Sequence, residues 1–221
     1  MIQNPYPGKF IAFEGIDGCG KTTQCDEAFE VLSGFGADLL KVKEPAKYLP
    51  SGKLIYGLLF GREGVRFEDM SQRQRQRHYY INRAEHYFHT VIPALEKGVN
   101  VLSDRSLVSI ALDVLKPNDL DILLEDEECY FRMAEVPFIR PDAVFIYDLP
   151  PDVAVQRLNQ KDERRRDFFE QPDKIKRTRD AYLEFAAKFS EFCQVIDGQG
   201  DVDEVFARTT IALEGVFSGT P

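Results

Sequence analysis

Short apolar runs alternate along this chain with longer stretches of helical periodicity, the pattern of strand–helix units packed around a parallel sheet. Lys9-Phe10-Ile11-Ala12-Phe13-Glu14 reads as a buried first strand, and a helix follows from Lys21 to about Leu32, stopped by Gly34 and Gly36. Ala37 to Lys43 predicts a second strand. Arg73 to Lys97 carries a long helical pattern, interrupted by Pro93 and ended by Gly98. Val99 to Asp104 predicts a third strand, apolar until its last two residues, and two helical segments then flank Pro117 and Asn118. Asp142 to Asp148 predicts a fourth strand, introduced by Pro141. Pro151 opens the next helix, its fixed φ suited to a first turn. The charged stretch Lys161 to Asp167 separates that helix from one running through Tyr182 and Phe189. Gln194 to Asp197 is a short last strand before a C-terminal helix. The expectation is an α/β fold with a doubly wound parallel sheet flanked by helices.

Composition narrows this picture. At 221 residues and 43% hydrophobic, the chain fits one domain over 1–221 with a real core, and no Pro/Gly/Ser-rich linker divides it. A net charge of −9 argues against a protein that grips nucleic acid, which needs a basic surface to displace counterions. Cys19, Cys25, Cys129 and Cys193 are scattered, with neither zinc-site spacing nor a disulfide framework, and a reduced cytoplasmic setting fits best. Met1 to Lys9 lacks the regions of a signal peptide. No apolar run approaches the roughly 20 residues of a membrane span.

The chemistry concentrates in Gly15-Ile16-Asp17-Gly18-Cys19-Gly20-Lys21-Thr22, which fits GxxxxGK[ST] with a strand before and a helix after. Glycines there let backbone N–H groups turn toward phosphate oxygens, and the helix N-terminus adds its positive end. Lys21 then reaches the β/γ-phosphates, and the Thr22 hydroxyl takes a place on Mg²⁺. The pattern resembles the phosphate loop of the P-loop NTPases; the alternative is a glycine-rich strand–helix turn with no ligand. A helix N-terminus can lower the Cys19 thiol pKa, but a small filler between two glycines is the plainer role. Asp104 ends the third strand at the carboxyl edge, where open α/β sheets bind ligands. There it either holds the metal or its water shell, or caps the next helix.

With these residues on the page, the chain resembles the thymidylate kinases over nearly its whole length. Phe10 to Gln24 is similar to the family's opening signature EGxDGxGKxTQ, and Lys43-Glu44-Pro45 stands where the family has Arg-Glu-Pro. Tyr79 to His86 resembles its helix bearing an aromatic and an Arg one turn apart. Ser103-Asp104-Arg105 with Ser109 resembles its DRY-x-x-S element, and Arg140-Pro141-Asp142 precedes the fourth strand as is typical.

The resemblance implies transfer of phosphate from ATP·Mg²⁺ to dTMP by a homodimer; with the charge, cysteine and apolar-run readings above, a cytoplasmic protein with no nucleic-acid or membrane partner is expected. It implies that Gly15, Asp17, Gly18, Cys19, Gly20, Lys21, Thr22 and Thr23 hold ATP, with Thr22 and Asp104 at the metal. It places the acceptor against a helical region near 44–95 and the loop: Asp17 on the 3′-hydroxyl, Glu44 and Pro45 beside it, Tyr79 stacked on the base, and Arg83 donating to a base carbonyl. Arg105 would hold the acceptor phosphate, with Ser109 in the same pocket. Tyr79 and Arg83, four apart, share one helix face. A lid near 157–172 would bring Arg164, Arg165 and Arg166 over ATP, where they join Lys21 and Arg105 in stabilising charge.

Several positions depart from the family pattern. Lys43 replaces an arginine, and an ammonium cannot fork onto phosphate as a guanidinium does. Ala46-Lys47-Tyr48 replaces Gly-Gly-Thr, Ser106 replaces the aromatic of DRY, and Asp113 falls near where another aromatic is expected. Asp167-Phe168-Phe169-Glu170 stands where an Asp-Arg pair is common. These changes cluster around the acceptor. They leave open another nucleoside monophosphate or a nucleoside as acceptor, and a nucleotide-binding regulatory protein without catalysis.

Overall fold

A computed structural model of the chain describes residues 1–61, 64–116, 118–159 and 172–218. The elements in order are β1 (Ile2–Gln3), β2 (Phe10–Glu14), α1 (Lys21–Gly34), β3 (Leu39–Lys43), α2 (Pro50–Leu59), α3 (Gln72–His86), α4 (Ile92–Glu96), β4 (Asn100–Asp104), α5 (Asp119–Met133), β5 (Ile139–Arg140), β6 (Ala143–Asp148), α6 (Pro151–Asn159), α7 (Pro172–Lys188), β7 (Cys193–Asp197) and α8 (Val202–Ser218). Five strands pair in the order β3-β4-β2-β6-β7, all parallel. The expected sheet is therefore present, with helices on both faces.

The strand sequences explain the arrangement. Every residue of β2 is buried, as is nearly all of β6, so both read as continuous apolar runs because helices cover both faces. β3 and β7 lie at the edges and are partly exposed. Phe10, Phe13, Phe145 and Tyr147 pack the centre, with Tyr87 and Phe131 closing one side through edge-on ring contacts. The chain also adds a small parallel ribbon, β1 on β5, which the apolar pattern does not announce.

One long helical stretch differs from its sequence pattern in an instructive way. α3 and α4 are joined by a π-helical turn at Tyr87–Val91, just before Pro93. Proline lacks an N–H and its ring collides with the carbonyl four residues earlier, so a wider turn lets the helix pass without breaking.

Topology places the site. Connections leave β2 and β4 toward opposite sides, so the crevice between those strands is the switch point where ligands bind in such sheets. Register pairs Phe13 with Asp104, Lys43 with Asp104, and Glu14 with Ile146. Glu14, Lys43 and Asp104 therefore arrive together at one edge.

Gly15 makes the turn from β2 toward α1 at φ 137°, and a Cβ there would lie 2.7 Å from the Tyr147 carbonyl oxygen. Gly15→Ala should therefore lower stability by about 1–3 kcal/mol through backbone strain alone. Urea denaturation would register this as a lower midpoint with an unchanged slope; an unchanged midpoint would mean the turn tolerates a side chain.

Candidate functional site

The loop from Gly15 to Thr22 forms the floor of a cavity of about 610 Å³. Asp17, Gly18, Cys19, Gly20, Lys21, Thr22 and Thr23 line it, while Gly15 packs underneath against the neighbouring strand. Burial pushes the Cys19 thiol up, and the residue serves as filler. Lys21 is buried, with its ammonium 3.0 Å from Asp17 Oδ1. Burial and Arg105 work against its charge, but Asp17, Cys19 and Asp104 outweigh them and raise its pKa. The Thr22 hydroxyl donates to Asp104 Oδ2 at 2.8 Å, and Lys43 Nζ reaches the same oxygen at 2.5 Å. Burial opposes ionisation of Asp104, yet Lys43, Lys21 and Arg105 hold its carboxyl below the usual range. Asp104 Oδ1 is buried without a protein partner among the described residues. Gln24, the end of the opening signature, also lines this cavity and ties α1 to α8, donating to the Val202 carbonyl and accepting from Thr209.

A second cavity of about 170 Å³ opens beside the first. Glu44, Pro45, Tyr79, Arg83, Arg105 and Ser109 all line it, so the structure brings together the residues expected around the acceptor. Tyr79 stacks on Phe67, ring centroids 5.9 Å apart. Arg83 is held on three sides: Nε donates to Glu44 at 2.6 Å, Nη2 to the Ser106 carbonyl at 3.0 Å, and Nη1 to Glu127. Three of its five N–H groups are thus engaged.

Arg105 follows β4 in the left-handed region, φ 78°, a conformation that a non-glycine residue holds only when its surroundings impose it. Its backbone N–H donates to Phe13 O at 3.0 Å and its guanidinium pairs with Asp17. Behind it lies Glu14, fully enclosed, which accepts from the Ser106 N–H at 2.6 Å, the Ser106 hydroxyl at 3.0 Å, and Ser109 and Tyr182 hydroxyls at 2.9 Å. Burial raises the Glu14 pKa against the opposing pull of Arg105 and these donors. The departure at Ser106 is explained here: the position is wholly buried, and a hydroxyl there serves the Glu14 carboxyl.

Some participants were invisible to motif reading. Lys43 was singled out only as a departure, yet it lines both cavities. Arg157 and the loop Gly200-Asp201-Val202 wall the larger cavity, with Arg157 donating to the Gly200 carbonyl at 3.2 Å. A glycine-flanked loop after the last strand, at the carboxyl edge, was the available signal. Gln76, Tyr56, Leu59 and Leu112 complete the smaller cavity. Arg164, Arg165 and Arg166 lie outside the described residues; α6 and α7 bracket them.

The family model described as thymidylate kinase matches residues 13–209. The chain is 31% identical over 213 residues to the thymidylate kinase of Tropheryma whipplei, covering 96% of this chain and 98% of that one. It is 35% identical over 200 residues to that of Thermosipho melanesiensis, covering 90% and 94%. It is 32% identical over 214 residues to that of Nitrosomonas eutropha, covering 96% and 94%.

Glu127 gives the site a testable pH signature. Burial, with Glu44 beside it, pushes its carboxyl up to about 7 against the pull of Arg83. Glu44, by contrast, is buried but held below its ordinary value by Arg83 and His86. One guanidinium thus keeps the first carboxylate ionised and leaves the second protonatable. The native chain holds the Glu127 proton more tightly than the unfolded chain, whose value lies near 4.5. That stabilisation is complete below the unfolded value and fades as pH rises through about 7. Its size is about 3 kcal/mol by linkage. Thermal melts should therefore show a decline in Tm across this window that is shallower in Glu127→Gln; equal slopes would refute the assignment.

Proposed function

The chain belongs to the thymidylate kinase family, and on that premise we propose which of its residues carry the family's reaction. The enzyme transfers the γ-phosphate of ATP to dTMP, giving ADP and dTDP. The observation that carries the assignment is that the two cavities share Asp17, Lys43 and Arg105. Two nucleotides placed one in each would meet phosphate to phosphate at those three side chains.

ATP lies along the loop, its phosphates on the backbone N–H groups from Gly18 to Thr22 and on Lys21. dTMP fills the smaller cavity, its base against Tyr79, a base carbonyl on an N–H of Arg83, and its 3′-hydroxyl on Asp17. Arg105 grips the acceptor phosphate and Lys43 adds a point charge beside it. An acceptor phosphate oxygen attacks the γ-phosphorus in line; that P–O bond forms as the bond to the β-phosphate oxygen breaks, and ADP leaves with the electron pair. No general base is needed, because the attacking oxygen is already anionic. Positioning and charge stabilisation supply the catalysis, which suits a site rich in fixed cations.

The donor set fits Mg²⁺. A threonine hydroxyl beside a carboxylate with one buried, unpartnered oxygen offers the hard oxygen ligands that magnesium takes alongside substrate phosphates. Bound there, the ion would neutralise charge on the β- and γ-oxygens. Among the described residues no group of three or more His, Cys, Asp or Glu is placed to hold a metal ion. By resemblance the lid arginines Arg164, Arg165 and Arg166 close over ATP and exclude water. The same resemblance supports a cytoplasmic homodimer, and no helix among the described residues is long and apolar enough to cross a membrane.

With purified protein, ATP and dTMP should turn over, and Arg105→Ala should cut kcat/KM about 10²–10³-fold while leaving ATP affinity nearly unchanged. A variant with full turnover would remove Arg105 from the reaction. Failure of dTMP beside good turnover of another monophosphate would reassign the acceptor.

A further inference from the structure

The smaller cavity contains a polar side chain that the reaction as described does not use. Gln76, Tyr79 and Arg83 lie three and four residues apart on α3, hence on one face, and all three line the cavity. Gln76 is 3% exposed. Its amide Nε2 donates to Asp113 Oδ2 at 2.8 Å.

Which end of the carboxamide faces the cavity is settled by chemistry. Asp113 is 1% exposed and its other oxygen accepts from Arg75 Nε at 2.9 Å and Nη2 at 2.6 Å. Arg75 is itself fixed by the Met70 carbonyl at 2.6 Å. A carboxylate paired with a guanidinium only accepts, so the NH₂ end of Gln76 must turn toward it. The carbonyl oxygen is the polar atom left for the cavity. The aspartate that departs from the family's aromatic therefore has a structural consequence: it sets Gln76 as a hydrogen-bond acceptor toward the bound nucleotide.

Position on the helix says which part of the nucleotide this acceptor meets. Gln76 and Arg83 are seven residues apart, about 10 Å along the axis, with Tyr79 between them. A pyrimidine ring stacked on Tyr79, with a hydrogen bond at each end, spans a distance of that order. With Arg83 on the carbonyl at one edge, Gln76 faces the opposite edge, where the ring carries the sugar. The base offers only a carbonyl oxygen there, which another carbonyl would repel. The donor available is a sugar hydroxyl, and the 3′-hydroxyl is already matched to Asp17.

We infer that the acceptor cavity takes pyrimidine ribonucleotides as well as deoxyribonucleotides, with the Gln76 carbonyl oxygen receiving the 2′-hydroxyl. The reaction is the same transfer: a UMP phosphate oxygen bonds to the γ-phosphorus of ATP, the bond to the β-phosphate oxygen breaks, and UDP and ADP result. This inference rests on the placement of the acceptor nucleotide proposed above.

The test compares UMP with dUMP, two acceptors that differ only in the 2′-hydroxyl, with dTMP run alongside. The wild-type enzyme should use UMP with kcat/KM within about tenfold of dUMP, because one satisfied hydrogen bond offsets the added polar group. Gln76→Met keeps the side-chain length and removes the acceptor; it should lower kcat/KM for UMP about tenfold more than it lowers kcat/KM for dUMP. Two results would overturn the inference: wild-type discrimination against UMP beyond about 100-fold, or equal losses on both acceptors in Gln76→Met. The wild-type comparison needs no variant, so it stands even where Gln76→Met fails to fold. If none of the three acceptors turns over, the acceptor placement itself has failed; if dTMP and dUMP turn over and UMP does not, only the ribonucleotide inference has.

Discussion

A carboxylate sealed at the end of the central strand organises much of this molecule. Glu14 has no access to solvent, and an enclosed carboxyl must be hydrogen-bonded or it costs several kcal/mol. Its donors come from two distant pieces of chain: Ser106 and Ser109 after β4, and Tyr182 on α7. Satisfying one buried group therefore fixes the segment that carries Arg105 and the helix that follows the charged stretch. Arg105 follows in the left-handed backbone region, with Glu14 and Asp17 among the groups that favour its charge.

Charge is handled by the same logic throughout the site. Cations and carboxylates alternate, Lys21 to Asp17 to Arg105 on one side and Lys43 to Asp104 on the other. On the proposed placement, incoming phosphates would meet cations that are already positioned, so that little reorganisation is needed when charge moves between nucleotides. Deeper in, Arg83 serves Glu44 and Glu127 unequally, one held ionised and the other pushed toward neutrality. The hydrogen bonds of Arg83 thereby orient the guanidinium that lines the smaller cavity.

Much of the fold was legible in the sequence because the buried central strands β2, β4 and β6 are largely apolar runs, and the shorter edge strands β3 and β7 also fall where apolar segments predict them. The phosphate loop was legible for a stronger reason: its glycines, Lys21 and Thr22 act through local backbone geometry. Tyr79 and Arg83 were legible as a pair because helical spacing dictates a shared face. What remained hidden depends on contacts between segments far apart in the chain. Lys43 is an unremarkable strand-end lysine until register sets it against Asp104. Arg157 and Gly200 meet only because α6 and the loop after β7 converge on the phosphate loop. Gln76 looks like one polar residue among several until Asp113, 37 residues away, fixes its direction. The π-helical turn before Pro93 was hidden too, since a proline alone does not say whether a helix breaks or widens.

The central claim is that two nucleotide sites meet at Asp17, Lys43 and Arg105. It is tested most directly by calorimetric titration with a single ligand in which adenosine and deoxythymidine are joined through a chain of phosphates. If the cavities are contiguous, that ligand should bind more than about 100-fold tighter than either mononucleotide, through the high effective concentration of its second half, and should displace both. Affinity no better than that of the tighter mononucleotide, or displacement of only one of them, would contradict the account.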